Sequence, residues 1–177
     1  VRQEMKDKGF TVLDGKPVTV GGIRFLGSSD PRSSGLTAGY SGSASDNSIA
    51  LRQQDEALEK AACDDGKVSV IAVHSPSSAS RAAASGCVDL VLSGHLHRQV
   101  GPSAITGVNG RSTTTMTTGS TGGAVYAFAL GSKLRREAQV TIVTFADGKP
   151  VGLQPVSFEP GGIIDVADYA PITTSPR

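Results

Sequence analysis

The sequence predicts an α/β fold in which a βαβ unit is followed by antiparallel strands, and three observations predict it. Two short, apolar, β-branched runs, Lys67 to Val73 and Val88 to Leu92, read as strands buried on both faces of a sheet. Between them Ser77 to Ser85 is Ala-rich and suits a short helix, so the three together form a strand, helix, strand unit with a right-handed parallel crossover. Downstream, Thr113 to Thr118, Ala124 to Leu130, Ala138 to Phe145 and Val151 to Phe158 are β-prone and separated by glycine-bearing turns, the clearest being Asp147-Gly148. They are expected to extend the sheet as antiparallel strands.

The remaining elements follow in chain order. Residues 2 to 8 are rich in helix formers and stop at Gly9. Pro17 to Val20 and Ile23 to Leu26 read as a hairpin, because Gly21-Gly22 tolerates the positive φ angles of a two-residue turn. From Ser28 to Asn47 the chain turns to Ser, Gly, Ala and Thr, offers little apolar surface and reads as a long loop. Asp46, Asn47 or Ser48 then caps a helix running to about Cys63. Leu51, Leu58 and Ala62 share one face of it, with Arg52, Glu56, Glu59 and Lys60 mostly elsewhere, as in an amphipathic outer-layer helix. Residues 1–160 read as one structural unit and 161–177, after Pro160-Gly161-Gly162, as an irregular tail.

Composition bounds the function. The chain has 177 residues, 38% hydrophobic and 19% charged, which fits one domain with a core; with 5% aromatic residues and no Trp that core is built from Val, Ile, Leu and Ala. The formal net charge of +1 and scattered basic residues, apart from the short run Lys133, Arg135, Arg136, give no nucleic-acid-binding signature. No apolar stretch approaches the length of a transmembrane segment, and the sequence does not open on a charged-then-apolar run, as expected also of a chain that has lost its targeting segment with its first half.

Chemistry concentrates in the three histidines. His74 closes the first buried strand, and His95 and His97 follow the second. Ligands of open α/β sheets bind at the carboxyl ends of strands, so three imidazoles at two such ends are expected to converge if the strands are neighbours. Neutral imidazole is the commonest metal ligand, and His-x-His in extended chain directs two side chains to one side, toward one ion or two neighbouring ions. Gly94 before the pair is expected to let the backbone turn sharply.

These stretches resemble a known family. Val73-His74-Ser75-Pro76 is similar to the single-histidine motif of calcineurin-like dinuclear metallophosphoesterases, and Ser93-Gly94-His95-Leu96-His97 to their Gly-His-x-His motif, in the same order and after the same buried strands. Phe25-Leu26-Gly27 running into Asp30-Pro31-Arg32 resembles the hairpin and loop that follow the Gly-Asn-His-Asp motif in many members, and Gly119-Ser120-Thr121-Gly122-Gly123 resembles a glycine-rich turn found after Gly-His-x-His in some. The resemblance covers about residues 11–158. It implies half of a layered α-β-β-α sandwich, and a bacterial-type hydrolase of phosphate mono- or diesters using two divalent ions, Mn, Fe, Zn or Ni, to activate a bridging water. It implies that His74 and His95 bind the second ion and His97 the first. Arg98 beside the motif is placed to donate to a substrate phosphate or is a solvated loop arginine. Arg32 with Asp30 has the same two readings, the second being a local ion pair in an Asp-Pro-Arg turn.

The family's Asp-x-His, Gly-Asp-x-x-Asp and Gly-Asn-His motifs do not occur in the sequence. The chain is therefore expected to be the carboxy-terminal half of the domain, inactive alone, with no catalytic residue assigned within it. Three imidazoles without the bridging carboxylate are expected to hold at most one ion, zinc above others. The expected partners are the missing amino-terminal half, a phosphate-ester substrate, and a second copy paired through the exposed sheet edge. The alternative is a non-catalytic fragment or degenerate homologue that binds a metal or a partner. A mononuclear zinc hydrolase is less favoured, because no carboxylate is evidently placed as general base.

Two cysteines precede the two buried strands, Cys63 at the end of the outer helix and Cys87 just before the second strand. Parallel neighbours begin at one edge of a sheet, so two readings stand: a disulfide far from the histidines, implying an oxidising, extracytoplasmic compartment, or two small buried residues of a cytosolic protein.

Overall fold

The computed structural model of the chain describes residues 2–32, 42–122 and 136–174. In order these form α1 (Arg2–Asp7), β1 (Val18–Val20), β2 (Ile23–Gly27), α2 (Ala44–Asp65), β3 (Val70–Ala72), a 3₁₀ turn (Pro76–Ala79), α3 (Ser80–Ser85) and β4 (Leu90–Ser93). They continue with β5 (Val100–Thr106), β6 (Ser112–Thr117), β7 (Ala138–Ala146), β8 (Lys149–Phe158), β9 (Ile164–Val166) and β10 (Ala170–Pro171). The strand expected over Ala124 to Leu130 and the middle of the loop expected over Ser28 to Asn47 lie outside the described residues.

The architecture is mixed α/β. One sheet has six strands in the order β1-β2-β3-β4-β6-β5, and a separate antiparallel sheet has the order β10-β8-β7 with β9 also on β8. In the first sheet β2, β3, β4 and β6 run parallel, flanked by antiparallel β1 and β5. The expected hairpin is present, with Val20 opposite Ile23 and both Gly21 and Gly22 at positive φ. The βαβ unit is present as well, with Ile71 opposite Val91 in a parallel pair.

Several features differ from expectation. The strand at Thr113 to Thr118 forms as β6, but parallel to β4, because β5 first carries the chain back along the sheet. β5 itself is exposed over nearly its whole length and contains Gly101 and Pro102, so it has no alternating apolar signal. The strands at Ala138 to Phe145 and Val151 to Phe158 do not extend the first sheet. They pair with each other across a two-residue turn at Asp147-Gly148 and bury one apolar face on the first sheet. The segment expected to be an irregular tail adds β9 and β10 to β8.

Side-chain alternation sorts the core into two layers. Ile71 and Val91 point to the helices and join Leu26, Leu58, Ala62, Ala82 and Ala83, whereas Val70, Leu90 and Met116 point the other way and join Leu153 and Ile172. Helices, mixed sheet and antiparallel sheet thus stack in that order. α2 begins earlier than expected, because Ser43 rather than Asp46 is its cap: Ser43 Oγ accepts the Asp46 amide at 3.0 Å and Asp46 accepts the Ser43 hydroxyl at 2.7 Å. Cys63 and Cys87 form a disulfide, tying the end of α2 to the chain entering β4. Among the described residues no helix is long and apolar enough to cross a membrane.

Candidate functional site

Four parallel strands end on one side of the mixed sheet, and each hands over residues with chemical potential. β2 leads to Asp30 and Arg32, β3 to His74, β4 to His95 and His97, and β6 to Gly119 and Ser120. Pairing continues past the strand ends. The Val73 amide donates to the Leu92 carbonyl and the Gly94 amide to the His74 carbonyl, each at 3.0 Å, so the two histidine segments leave the sheet side by side.

His74 and His95 meet there. Nε2 of His74 and Nδ1 of His95 are 3.1 Å apart, with the rings nearly perpendicular at 71°. An N–H···N hydrogen bond between two neutral rings has this separation. It is also close to the separation of two nitrogens on one tetrahedral zinc ion, about 3.3 Å for Zn–N bonds of about 2.0–2.1 Å. The distance and donor type suit either arrangement. Both residues are exposed. The His95 imidazole is held below its ordinary pKa, first by partial desolvation and then by the charges of His74 and Arg32, with Asp30 opposing. Because His95 is exposed overall, its ring loses only part of its hydration. A ring kept neutral retains the lone pair that ligation needs.

The backbone reaches this arrangement through strain at the histidines themselves. His95 has φ 70° and His97 φ 53°, both in the left-handed region, and the Leu96 amide donates to the Gly94 carbonyl at 2.8 Å to close a γ-turn around His95. The pair is thus not in extended chain, and the turn does not fall on Gly94, where an added Cβ would meet only the His74 carbonyl at 3.8 Å. His97 lines a cleft of about 390 Å³ with Arg98, Arg136, Glu137, Glu159 and Pro160. Among the described residues no group of three or more His, Cys, Asp or Glu side chains is gathered around one point; His74 meets His95, and His97 is close enough to add to the charges that lower the His95 pKa.

Arg32 is gripped by Asp30 through Nε at 2.9 Å and Nη2 at 2.6 Å, while its amide donates to Asp30 Oδ1 at 2.9 Å; both side chains are largely buried. This is the local ion pair that the Asp-Pro-Arg turn allowed. The Arg32 guanidinium holds the Asp30 carboxyl below the usual carboxylate range, and His74 adds to that shift. Arg98 is exposed on the His97 side of the site.

One further residue of the site was not singled out by the sequence. Gln139, at the start of β7, is buried and accepts the Gln99 amide at 3.0 Å, two residues beyond His97. A glutamine at an inward strand position, in register with the apolar Val143 and Phe145, was the available signal.

What fold and site define is a mixed α/β domain with two imidazoles paired at the carboxyl ends of adjacent parallel strands. Compared with known proteins, the chain matches no family model, no curated protein and no solved structure.

Proposed function

We propose that this chain is the carboxy-terminal, histidine-bearing half of a calcineurin-like metallophosphoesterase, and that the protein containing both halves hydrolyses phosphate mono- or diesters with two divalent ions. The observation that carries the reading is the His74–His95 pair: both belong to the resembling motifs, and they meet at the strand ends where such a site lies. The stacking of helices on a mixed sheet on a second sheet supports the finer fold, half of an α-β-β-α sandwich.

The chain's own residues have limited roles in this reading. His74 and His95 offer neutral nitrogens to one ion, and His97 with Arg98 faces the neighbouring cleft, where Arg98 donates to a substrate phosphate oxygen. Asp30 is committed to Arg32 and is not free to bridge two ions. The bridging carboxylate therefore comes from the other half. When bound, the ion pair supplies Lewis acidity and an activated water. The Cys63–Cys87 disulfide supports an oxidising compartment.

The second reading, a metal-binding module without catalysis, is favoured by that same commitment of Asp30. One experiment separates them. Coding sequence upstream of Val1 is expected to supply Asp-x-His, Gly-Asp-x-x-Asp and Gly-Asn-His. The protein carrying both halves is expected to cleave bis(p-nitrophenyl) phosphate with Mn²⁺, with His74→Ala and His95→Ala each lowering turnover more than about 100-fold. A start codon at Val1 together with no turnover selects the second reading.

A further inference from the structure

The side chain of Gln139 ties the chain just beyond the histidine turn to β8 and to the start of its own strand. Its Oε1 accepts the Gln99 amide at 3.0 Å, and its Nε2 donates to Glu137 Oε1 and to Ser157 Oγ, each at 3.2 Å. Its own backbone amide donates to the Ser120 carbonyl at 2.9 Å. Both amide protons of the side chain are therefore used, as a buried glutamine requires. Gln99 is the residue after Arg98, so the bond pins the exit of the His95–His97 turn to the antiparallel sheet. Glu137, on the other end of the network, lines the same cleft as His97 and Arg98.

Gly119 explains how Gln139 reaches that place. A Cβ on Gly119 would stand 2.7 Å from both Cβ and Cδ of Gln139, and closer still to its Oε1. Gly119 is not among the positive-φ glycines, so its need for hydrogen is spatial and not conformational. A side chain there pushes Gln139 off the Gln99 amide.

We propose that Gln139 is a positioning residue for the candidate site: by holding the Gln99 amide in the space Gly119 leaves open, it fixes the His97–Arg98 segment against the start of β7. A purely space-filling role would be satisfied by methionine, which has similar volume and shape. The hydrogen-bonding role is not. That the fixed segment belongs to a metal site rests on the function proposed above; the fixing itself does not.

The test uses the whole chain as wild type, Gln139→Met and Gly119→Ala. Amide hydrogen exchange at Gln99 and the ring ¹⁵N shifts of His97 are recorded, with urea unfolding to check that each protein is folded. In both variants the Gln99 amide is expected to exchange about tenfold faster or more and the His97 shifts to move, while the Val91 amide in the sheet keeps its protection. Gly119→Ala gives the same reading if Gln139→Met fails to fold, because it retains the glutamine and displaces it. Zinc titration of the same samples separates two failures. A wild type that takes up no zinc overturns the metal reading and leaves the exchange result standing. Wild-type exchange at Gln99 and unmoved His97 shifts in a folded variant overturn the positioning role, whatever zinc does.

Discussion

The ring nitrogens of His74 and His95 meet at 3.1 Å, although the residues are 21 positions apart in the chain. Strand register produces the encounter: Ala72 is opposite Leu92 in a parallel pair, and the Gly94 amide still bonds the His74 carbonyl beyond the strands. A change of one residue in that register would turn the two segments to opposite faces.

The meeting requires His95 at φ 70°, a conformation that strains any residue with a Cβ. His95→Gly is expected to be more stable than His95→Ala by about 1 kcal/mol, the reverse of the usual order of the two residues. Urea unfolding of the pair checks it. An alanine variant as stable as the glycine variant would show that the turn relaxes without its histidine.

Asp55 sits on the buried face of α2 and accepts the Arg81 amide at 3.0 Å, capping the first turn of α3 from outside. Desolvation raises its pKa above the ordinary carboxylate value, against the pull of Arg81. A raised folded-state pKa means the ionised form is penalised on folding, so this contribution is most favourable at low pH and is lost as pH rises through the folded value. Asp55→Asn keeps the acceptor without the charge and is expected to match or exceed wild-type stability at pH 7. Asp55→Ala removes the acceptor and is expected to cost about 1–2 kcal/mol. Chemical denaturation at pH 7 distinguishes the two.

Asp65, the last residue of α2, has the opposite sign. It accepts from the Arg24 guanidinium of β2 and from the Lys67 amide, and Arg24 above all holds its pKa below the usual range. Its contribution is complete above the unfolded-state pKa and disappears as pH falls through the lower folded value. Asp65→Asn is therefore expected to be less stable than wild type at pH 7, with the gap closing toward pH 3. A gap that stays constant between those pH values contradicts the pairing.

The Cys63–Cys87 disulfide closes a loop between residues 24 apart at the amino-terminal end of β4, opposite the histidines. Loop-closure entropy for that length gives about 3 kcal/mol. The double variant Cys63→Ser with Cys87→Ser is expected to lose about that much by urea unfolding while its zinc uptake is unchanged. Loss of zinc uptake in a folded double variant would place the disulfide in control of the site.

Much of this was legible in the sequence, for identifiable reasons. Mostly apolar runs at Lys67–Val73 and Val88–Leu92 announce buried parallel strands, and Gly21-Gly22 and Asp147-Gly148 announce two-residue turns. β5 was not legible, because an exposed edge strand needs no apolar alternation. Nor was the second sheet: Ala138–Phe145 carries apolar residues on both faces, Val140 and Ile142 on the exposed one and Val143 and Phe145 on the covered one, so the pattern does not say which face is buried or against what. At the site, histidines following adjacent strands gave the His74–His95 encounter. The left-handed turns at His95 and His97 were hidden, because histidine type does not predict that conformation.

The central claim is that His74 and His95 are two ligands of one ion, and zinc stoichiometry tests it most directly. Titration of the folded chain with Zn²⁺, followed by isothermal calorimetry and by metal analysis after gel filtration, is expected to give one ion per chain. His74→Ala and His95→Ala are each expected to reduce the affinity by more than about 100-fold, with the fold intact by circular dichroism. Zinc uptake by both variants equal to that of the wild type, or no uptake by the wild type, would contradict it.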